Sequence, residues 1–284
     1  MEKIKTVGII PNTLKDADLS YTDRMISKLC SCGIKCLLPT ECGVRDGAKT
    51  ASYEELYRDS DCLIILGGDG TILRHSSGAA RYDTAILGVN IGTIGFICEL
   101  YPDEEDELEK LARGDYDIEK RYMLDVSVIR DGKCIGNFTA LNDAVIESEG
   151  ISKVIAIELY RDDKRIIDYM ANGLIVSTPT GSTAYSLAAG GPIVDPETAV
   201  TTVTPICPHT LTEKPMIFDM NARLSCKISS MRGSPCLSVD GRDFLSLKEG
   251  DVVRVTKSES FTRLIRLKSL EFYDIIYQKL SIKV

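Results

Sequence analysis

The sequence predicts an α/β N-terminal domain with a parallel sheet, a mostly β second domain, and a C-terminal tail that returns to the first. Three observations carry this prediction. Over residues 1–119, short apolar runs alternate with segments of helical period, the order that builds a parallel sheet with helices on its faces. From 120 to 259 the period drops to two and turn residues interrupt it regularly, as in antiparallel β structure. Residues 260–284 revert to an apolar strand and an amphipathic stretch, which complete the first domain. A chain of 284 residues is long enough for two such cores.

Lys5–Pro11 reads as a buried strand ending in the loop Asn12–Leu19. Tyr21–Cys32 carries Met25, Ile26 and Leu29 at helical spacing, and Gly33 stops it. Ile34–Leu38 is a second strand. Ser52 and Glu55 make a capping box for a short helix through Arg58. Cys62–Leu66 is an unbroken apolar run and therefore a fully buried strand. The chain then turns on Gly67, Gly68 and Gly70, and a helix is expected from Thr71 to Ala80. Thr84–Val89 is the next strand, followed by a second glycine-rich turn, Asn90–Phe96. Pro102–Arg113 has a proline start, acids in its first turn, Lys110 and Arg113 near its end, and Gly114 after it. These are the marks of one helix, with Asp103–Glu107 as a solvated face.

In the second domain Leu124–Ile129 alternates and Asp131-Gly132 is a hairpin turn. Ile135–Glu147, Val154–Tyr160 and Lys164–Tyr169 continue the pattern, the last two joined at Asp162-Asp163. Leu174–Ser177, Arg223–Ser229, Cys236–Val239 and Val252–Thr256 are further strand-like pieces. Leu264–Leu267 and the amphipathic Leu270–Leu280 close the chain.

A net charge of −8 leaves no basic footprint for nucleic acid or an anionic membrane. Apolar runs of membrane-spanning length and a signal peptide are both missing, so a cytoplasmic enzyme is expected. Cys30, Cys32, Cys36 and Cys42 are crowded but lack the Cys-x-x-Cys spacing of a zinc site. Cys62, Cys98 and Cys134 lie in apolar runs, as small buried hydrophobes do, and reduced thiols are expected. His75 reads as a helix-surface residue, and His209 sits in a proline-flanked turn. Neither supports a serine–histidine pair or a histidine metal site.

Three stretches carry chemistry. At Gly67–Thr71, three glycines bring backbone N–H groups and a helix N-terminus close to any anion, which suits phosphate. Asp69 in their middle would repel phosphate. Its presence is explained if it takes a proton from a reacting hydroxyl or meets a metal that bridges phosphates. Asn142 and Asp143 interrupt an apolar strand, where unpaired polar groups are costly. They read either as a strand bend or as groups for a base edge and a ribose diol. Ser177–Gly191 gathers six hydroxyls and Tyr185 before a small-residue helix, more than one cap requires. It is expected to hydrogen-bond a nucleotide.

Together these motifs resemble the NAD kinase family. Gly67–Thr71, Asn90–Phe96, Asn142-Asp143, Asn172–Gly191, Thr204–Thr210 and Val239–Gly241 stand in that family's order and spacing, over nearly the whole chain. The Gly-Gly-Asp-Gly turn alone is shared with lipid kinases and 6-phosphofructokinases, whereas Thr178–Tyr185 points to NAD kinases. The resemblance implies transfer of the ATP γ-phosphate to the 2′-hydroxyl of the adenosine ribose of NAD. It makes Asp69 the general base and places Gly67, Gly68, Thr71 and Asn90 against the phosphates of ATP. Gly70, Asn142, Asp143, Asn172, Thr183, Ala184 and Tyr185 would hold NAD. It further implies Mg²⁺ with the ATP, and a homodimer or homotetramer whose neighbouring subunits complete the NAD site.

Three positions depart from the family's pattern. Asn172 stands where an Asp is usual, Met170 lies where a basic residue is close by, and Ala188 replaces a frequent Ser. Two other readings of the same residues are a catalytically weak NAD(P)-binding sensor and a lipid or sugar kinase that shares the glycine turn. An intact Asp69 argues against the first. A missing apolar or basic surface argues against the second.

Overall fold

A computed structural model describes residues 1–92, 95–149, 154–210, 212–231, 233–268 and 272–280. It divides into two compact units, Met1–Lys120 with Phe261–Val284, and Arg121–Ser260.

In the first unit β1 (Thr6–Pro11), β2 (Lys35–Pro39), β3 (Ala48–Ala51), β4 (Cys62–Gly67) and β5 (Ala85–Asn90) form a parallel sheet in the order β3-β2-β1-β4-β5. Leu264, near the end of the chain's last strand, pairs in parallel with Ile86 of β5. The helices are α1 (Ser20–Ser31), α2 (Tyr53–Asp59), α3 (Asp69–Arg81) and α4 (Glu109–Arg113). Every residue of β4 is buried, as its apolar run requires. Met25, Ile26 and Leu29 of α1 share one core with Ile9, Leu38, Ile64 and Leu87 of the sheet. The Ser52–Glu55 capping box is formed in both directions. Because β1 lies between β2 and β4, the sheet order reverses there. In open α/β sheets such a switch point opens a crevice at the carboxyl ends of the strands.

Four expectations for this unit are corrected. The short strand β3 was not anticipated, because Ala48–Ala51 has no apolar run. His75 is buried, not on the surface: α2 covers it, with Tyr53 stacked at 5.2 Å and the Tyr57 hydroxyl 2.7 Å from its Nδ1. The expected helix Pro102–Arg113 is only a 3₁₀ turn, Glu105–Leu108, followed by α4. Glu104 Oε2 accepts from the Tyr101 N–H at 2.9 Å, which closes a turn around Pro102 and delays the helix. Its acid run is not simply solvated, since Glu105 pairs with Arg24 and Asp106 with Lys28, both on α1.

In the second unit the strands are β6 (Asp117–Arg130), β7 (Lys133–Ala140), β8 (Asp143–Glu149), β9 (Ile155–Arg161), β10 (Lys164–Ala171), β11 (Gly173–Ser177), β12 (Val200–Ile206), β13 (Met216–Asp219), β14 (Leu224–Met231), β15 (Ser234–Val239), β16 (Arg242–Ser246) and β17 (Val252–Arg266). The division between the units falls within β6 and β17. One antiparallel sheet runs β13-β12-β11-β8-β15-β16. A second antiparallel set runs β10-β9-β14-β17, and β6 and β7 form a hairpin. Ile146, Leu174, Val203 and Leu237 of the first sheet meet Ile157, Leu159, Leu224 and Val253 of the second in one core. The turns Asp131-Gly132 and Asp162-Asp163 have positive φ at both residues, matching the twist of their hairpins.

Here the expected strand Ile135–Glu147 is two strands, broken at Leu141 and Asn142. Val252–Thr256 and Leu264–Leu267 belong to one long strand, β17, which ends at Arg266. β12, β13 and β16 were not anticipated; the buried Thr201, Thr202 and Thr204 hide the apolar face of β12. The expected small-residue helix shrinks to a 3₁₀ turn, Thr180–Thr183, and α5 (Tyr185–Ala188). All ten cysteines are free, but Cys134, two residues after the hairpin turn Asp131-Gly132, is exposed, and Cys98 is only half-buried. The tail helix α6 (Phe272–Leu280) belongs to the first unit, and Leu270 lies outside the described residues. Among the described residues no helix is long and apolar enough to cross a membrane.

Candidate active site

The glycine turn follows β4 at the carboxyl edge of the first unit's sheet. Gly68 is the extended N-cap of α3, so the helix starts at Asp69, two residues earlier than expected. Asp69 is half-buried. Its carboxylate accepts the Phe96 N–H at 2.6 Å and the Ile97 N–H at 3.2 Å, both from the turn after β5. Gly95 makes this approach possible, because a Cβ there would lie 2.0 Å from Asp69 Oδ1. Thr93 and Ile94 of the same turn lie outside the described residues.

The glycines divide by role. A Cβ on Gly67 would meet Thr71 Oγ1 at 2.4 Å, so Gly67 serves packing. Gly70 is exposed, with nothing within 4 Å of its Cβ position. At Gly68 the nearest atom to that position is Lys15 Nζ at 3.4 Å, with Asn90 Oδ1 at 3.8 Å. Gly70 thus leaves open space at the helix N-terminus, and Gly68 keeps side-chain bulk away from it; the first backbone N–H groups of a helix favour an anion. Thr71 is buried, and its Oγ1 accepts from Asn12 Nδ2 at 3.1 Å, tying the loop after β1 to α3. Asn90 ends β5 and is buried beside Gly92, whose carbonyl lies 3.5 Å from Asn90 Nδ2.

In the second unit the break at Leu141–Asn142 is built by Asp240. Its buried carboxylate accepts the N–H groups of Leu141 (2.8 Å), Asn142 (2.8 Å) and Asp143 (3.1 Å). Thr178 takes the carbonyls, with Oγ1 donating to Leu141 at 2.6 Å and N–H to Asn142 at 2.8 Å. A Cβ on Gly181 would lie 2.2 Å from the Asn142 carbonyl, so the two backbones pack without a side chain between them. The bend leaves Asn142 7% exposed, with Oδ1 lacking any hydrogen-bond partner among the described residues. Such an orphaned acceptor costs free energy unless a ligand satisfies it. Asp143 is 5% exposed. Burial, and then the Asp240 carboxylate, push its pKa up to about 7.

Most hydroxyls of Ser177–Gly191 have structural partners. Ser177 bonds Thr202, Ser186 bonds Thr204, and Ser182 bonds the backbone of Val194. Thr183 and Ala184 are half-buried, and Tyr185 is exposed. Burial raises the Tyr185 pKa, as do Glu147, Cys207 and Asp143, which places its ring in the electrostatic neighbourhood of Asp143. Asn172 lies between β10 and β11 with both backbone groups bonded, to Ile206 and Ser148. Met170 is exposed, held by backbone bonds to Glu213 and His209. Ala188 is exposed on α5.

The ATP-NAD kinase N-terminal domain model matches residues 7–116 and the C-terminal domain model matches 141–267. The chain belongs to the NAD kinase family. The NAD kinase of Caldanaerobacter subterraneus subsp. tengcongensis is 40% identical over 281 residues, 98% of this chain and 99% of that one. That of Moorella thermoacetica is 39% identical over 98% of this chain and 90% of its own. Among solved structures, yeast NADH kinase complexed with NADH superposes with a TM-score of 0.89 at 23% identity, covering 100% and 89% of the chains. An Archaeoglobus fulgidus NAD kinase in complex with ATP gives 0.77 at 24%, covering 97% and 98%. These two show the shared fold. Family membership assigns to this chain the phosphorylation of NAD to NADP, a phosphotransferase reaction.

Site reasoning from sequence missed Asp240 and Gly95 as supports. Both lie in quoted motifs, yet their partners, Asn142 and Asp69, are distant in sequence.

Proposed function

We propose that the γ-phosphoryl group of ATP passes to the 2′-hydroxyl of the adenosine ribose of NAD, with Asp69 as general base. One observation carries this: the Asp69 carboxylate is aimed by two backbone N–H groups at the first turn of α3, beside glycines that leave room for phosphate. The two backbone bonds and the Cys98 thiol use part of its roughly four lone-pair sites, and the remainder is open to a hydroxyl proton. As the 2′-oxygen attacks phosphorus, its proton moves to Asp69. The bond from phosphorus to the β–γ bridging oxygen breaks, and ADP leaves. Gly68 and Gly70 admit the phosphates to the amides of α3, with Gly67, Thr71 and Asn90 shaping that turn.

Asn142 Oδ1 accepts from the adenosine half of NAD, and Asp143 grips a ribose diol. Thr183, Ala184 and Tyr185 line the same binding surface, and Asn172 replaces charge with hydrogen bonding. Among the described residues no group of three or more His, Cys, Asp or Glu is placed to hold a metal. Magnesium would enter as part of the MgATP substrate, where Asp69 would help hold it beside the phosphates. We read the protein as cytoplasmic and as a homodimer or homotetramer, on the family resemblance.

The test is NADP formation from NAD and MgATP, with NADH and a diacylglycerol as alternative acceptors. Turnover with NAD or NADH supports the reading. Turnover with diacylglycerol alone, or NAD binding without turnover, contradicts it.

A further inference from the structure

We propose that Lys15 is a donor-phosphate residue of this site, its ammonium taking the terminal phosphate oxygens of the nucleoside triphosphate. This rests on the kinase reading above and names a group that the reading does not require.

Lys15 lies in the loop after β1, and Gly68 follows β4, so the two flank the point where the sheet order reverses. Its ammonium sits in a notch made by two glycines from two different turns. The Cβ position of Gly68 is 3.4 Å from Lys15 Nζ and that of Gly92 is 3.3 Å. A β-carbon at either position would just touch the ammonium, and Gly92 has φ +124°, which itself favours glycine.

The ordinary reading of an exposed loop lysine is a solvated, wandering cation. The loop argues otherwise. Asn12 Oδ1 accepts the Leu14 N–H at 3.1 Å, and the Asn12 carbonyl accepts the N–H groups of Lys15 and Asp16 at 2.9 Å. Asp16, 1% exposed, then ties the start of α1 through Tyr21 and Thr22. The backbone of Lys15 is thus fixed on both sides. Its ammonium nonetheless makes no hydrogen bond or ion pair among the described residues, although the chain carries an excess of acids. A cation that bonds no acid, beside the N-terminus of α3, is complementary to polyphosphate.

The experiment compares wild type, Lys15→Met and Lys15→Arg by calorimetric binding of MgATP, by inhibition with inorganic tripolyphosphate, and by steady-state kinetics. Loss of a charged hydrogen bond predicts roughly tenfold to a hundredfold weaker MgATP binding and a matching fall in kcat/KM for ATP in Lys15→Met. The KM for NAD and the thermal midpoint should stay at wild-type values. Tripolyphosphate inhibition should weaken in parallel, and Lys15→Arg should restore most of the loss. Unchanged MgATP binding in Lys15→Met overturns the proposal. So does a loss shared equally by NAD and the thermal midpoint, which would mark a scaffold role. Wild type that binds MgATP but forms no NADP refutes the kinase reading instead, and the binding arm still decides Lys15.

Discussion

The Asp69 carboxylate and the Phe96 N–H are 2.6 Å apart, a bond between the first residue of α3 and the turn after β5. Gly95 is the hinge of this relationship, since any β-carbon there would collide with the carboxylate. Gly95→Ala should therefore rotate Asp69 out of position while leaving the fold intact. Displacing a general base costs on the order of 10²–10⁴-fold in kcat. Steady-state kinetics alongside a thermal melt would show it, with kcat collapsing and the melt little changed. A Gly95→Ala enzyme at full kcat would mean that the observed orientation of Asp69 is unimportant.

Asp240 orients Asn142 and Asp143 by accepting three backbone N–H groups. In Asp240→Ala those amides lose their acceptor inside the protein, a cost of about 3 kcal/mol or more. Urea unfolding should report that loss, and the KM for NAD should rise with it. Stability at the wild-type level would refute the supporting role.

Asp143 makes stability depend on pH. Its folded pKa of about 7 lies above the ordinary 3.8, because the site is buried and Asp240 is close. The folded state thus keeps a proton that the unfolded chain has released. The associated stability is full below pH 3.8 and is lost as pH rises toward about 7. The slope from this group alone is at most about 1.4 kcal/mol per pH unit. Asp143→Asn should flatten it, measured as unfolding free energy at several pH values across that window. Parallel curves for the two proteins would show that Asp143 titrates normally.

Gly78 sits in α3, where helix propensity alone would make Gly→Ala favourable by about 1 kcal/mol. Its Cβ would lie 2.4 Å from the Tyr57 ring, which also hydrogen-bonds His75. Overpacking of this kind costs about 1–3 kcal/mol, so Gly78→Ala should destabilise the protein. A raised melting temperature would show that the α2–α3 contact yields easily.

Local signals were legible in the sequence. The apolar run of β4 and the Ser52–Glu55 box act over a few residues, and both stand as expected. The polar pair Asn142-Asp143 marked a real break, because buried polar groups need an explanation. What could not be read depends on distant partners. Asp240 lies about 100 residues beyond the amides it binds, and His75 is buried only because α2 folds over it. β12 was hidden because its buried threonines pair with Ser177 and Ser186 rather than showing an apolar face. The same bonds explain why the hydroxyl-rich Ser177–Gly191 looked richer in ligand contacts than its free side chains allow.

The most direct test of the proposed chemistry compares wild type and Asp69→Asn for NADP formation from NAD and MgATP, with NAD binding measured on the same samples. The substitution keeps the shape of the side chain and removes its capacity to take a proton. The expected result is wild-type turnover, a loss of about 10²–10⁴-fold in the variant, and nearly equal NAD affinity. Wild-type turnover retained in Asp69→Asn would contradict the assignment of Asp69 as the base.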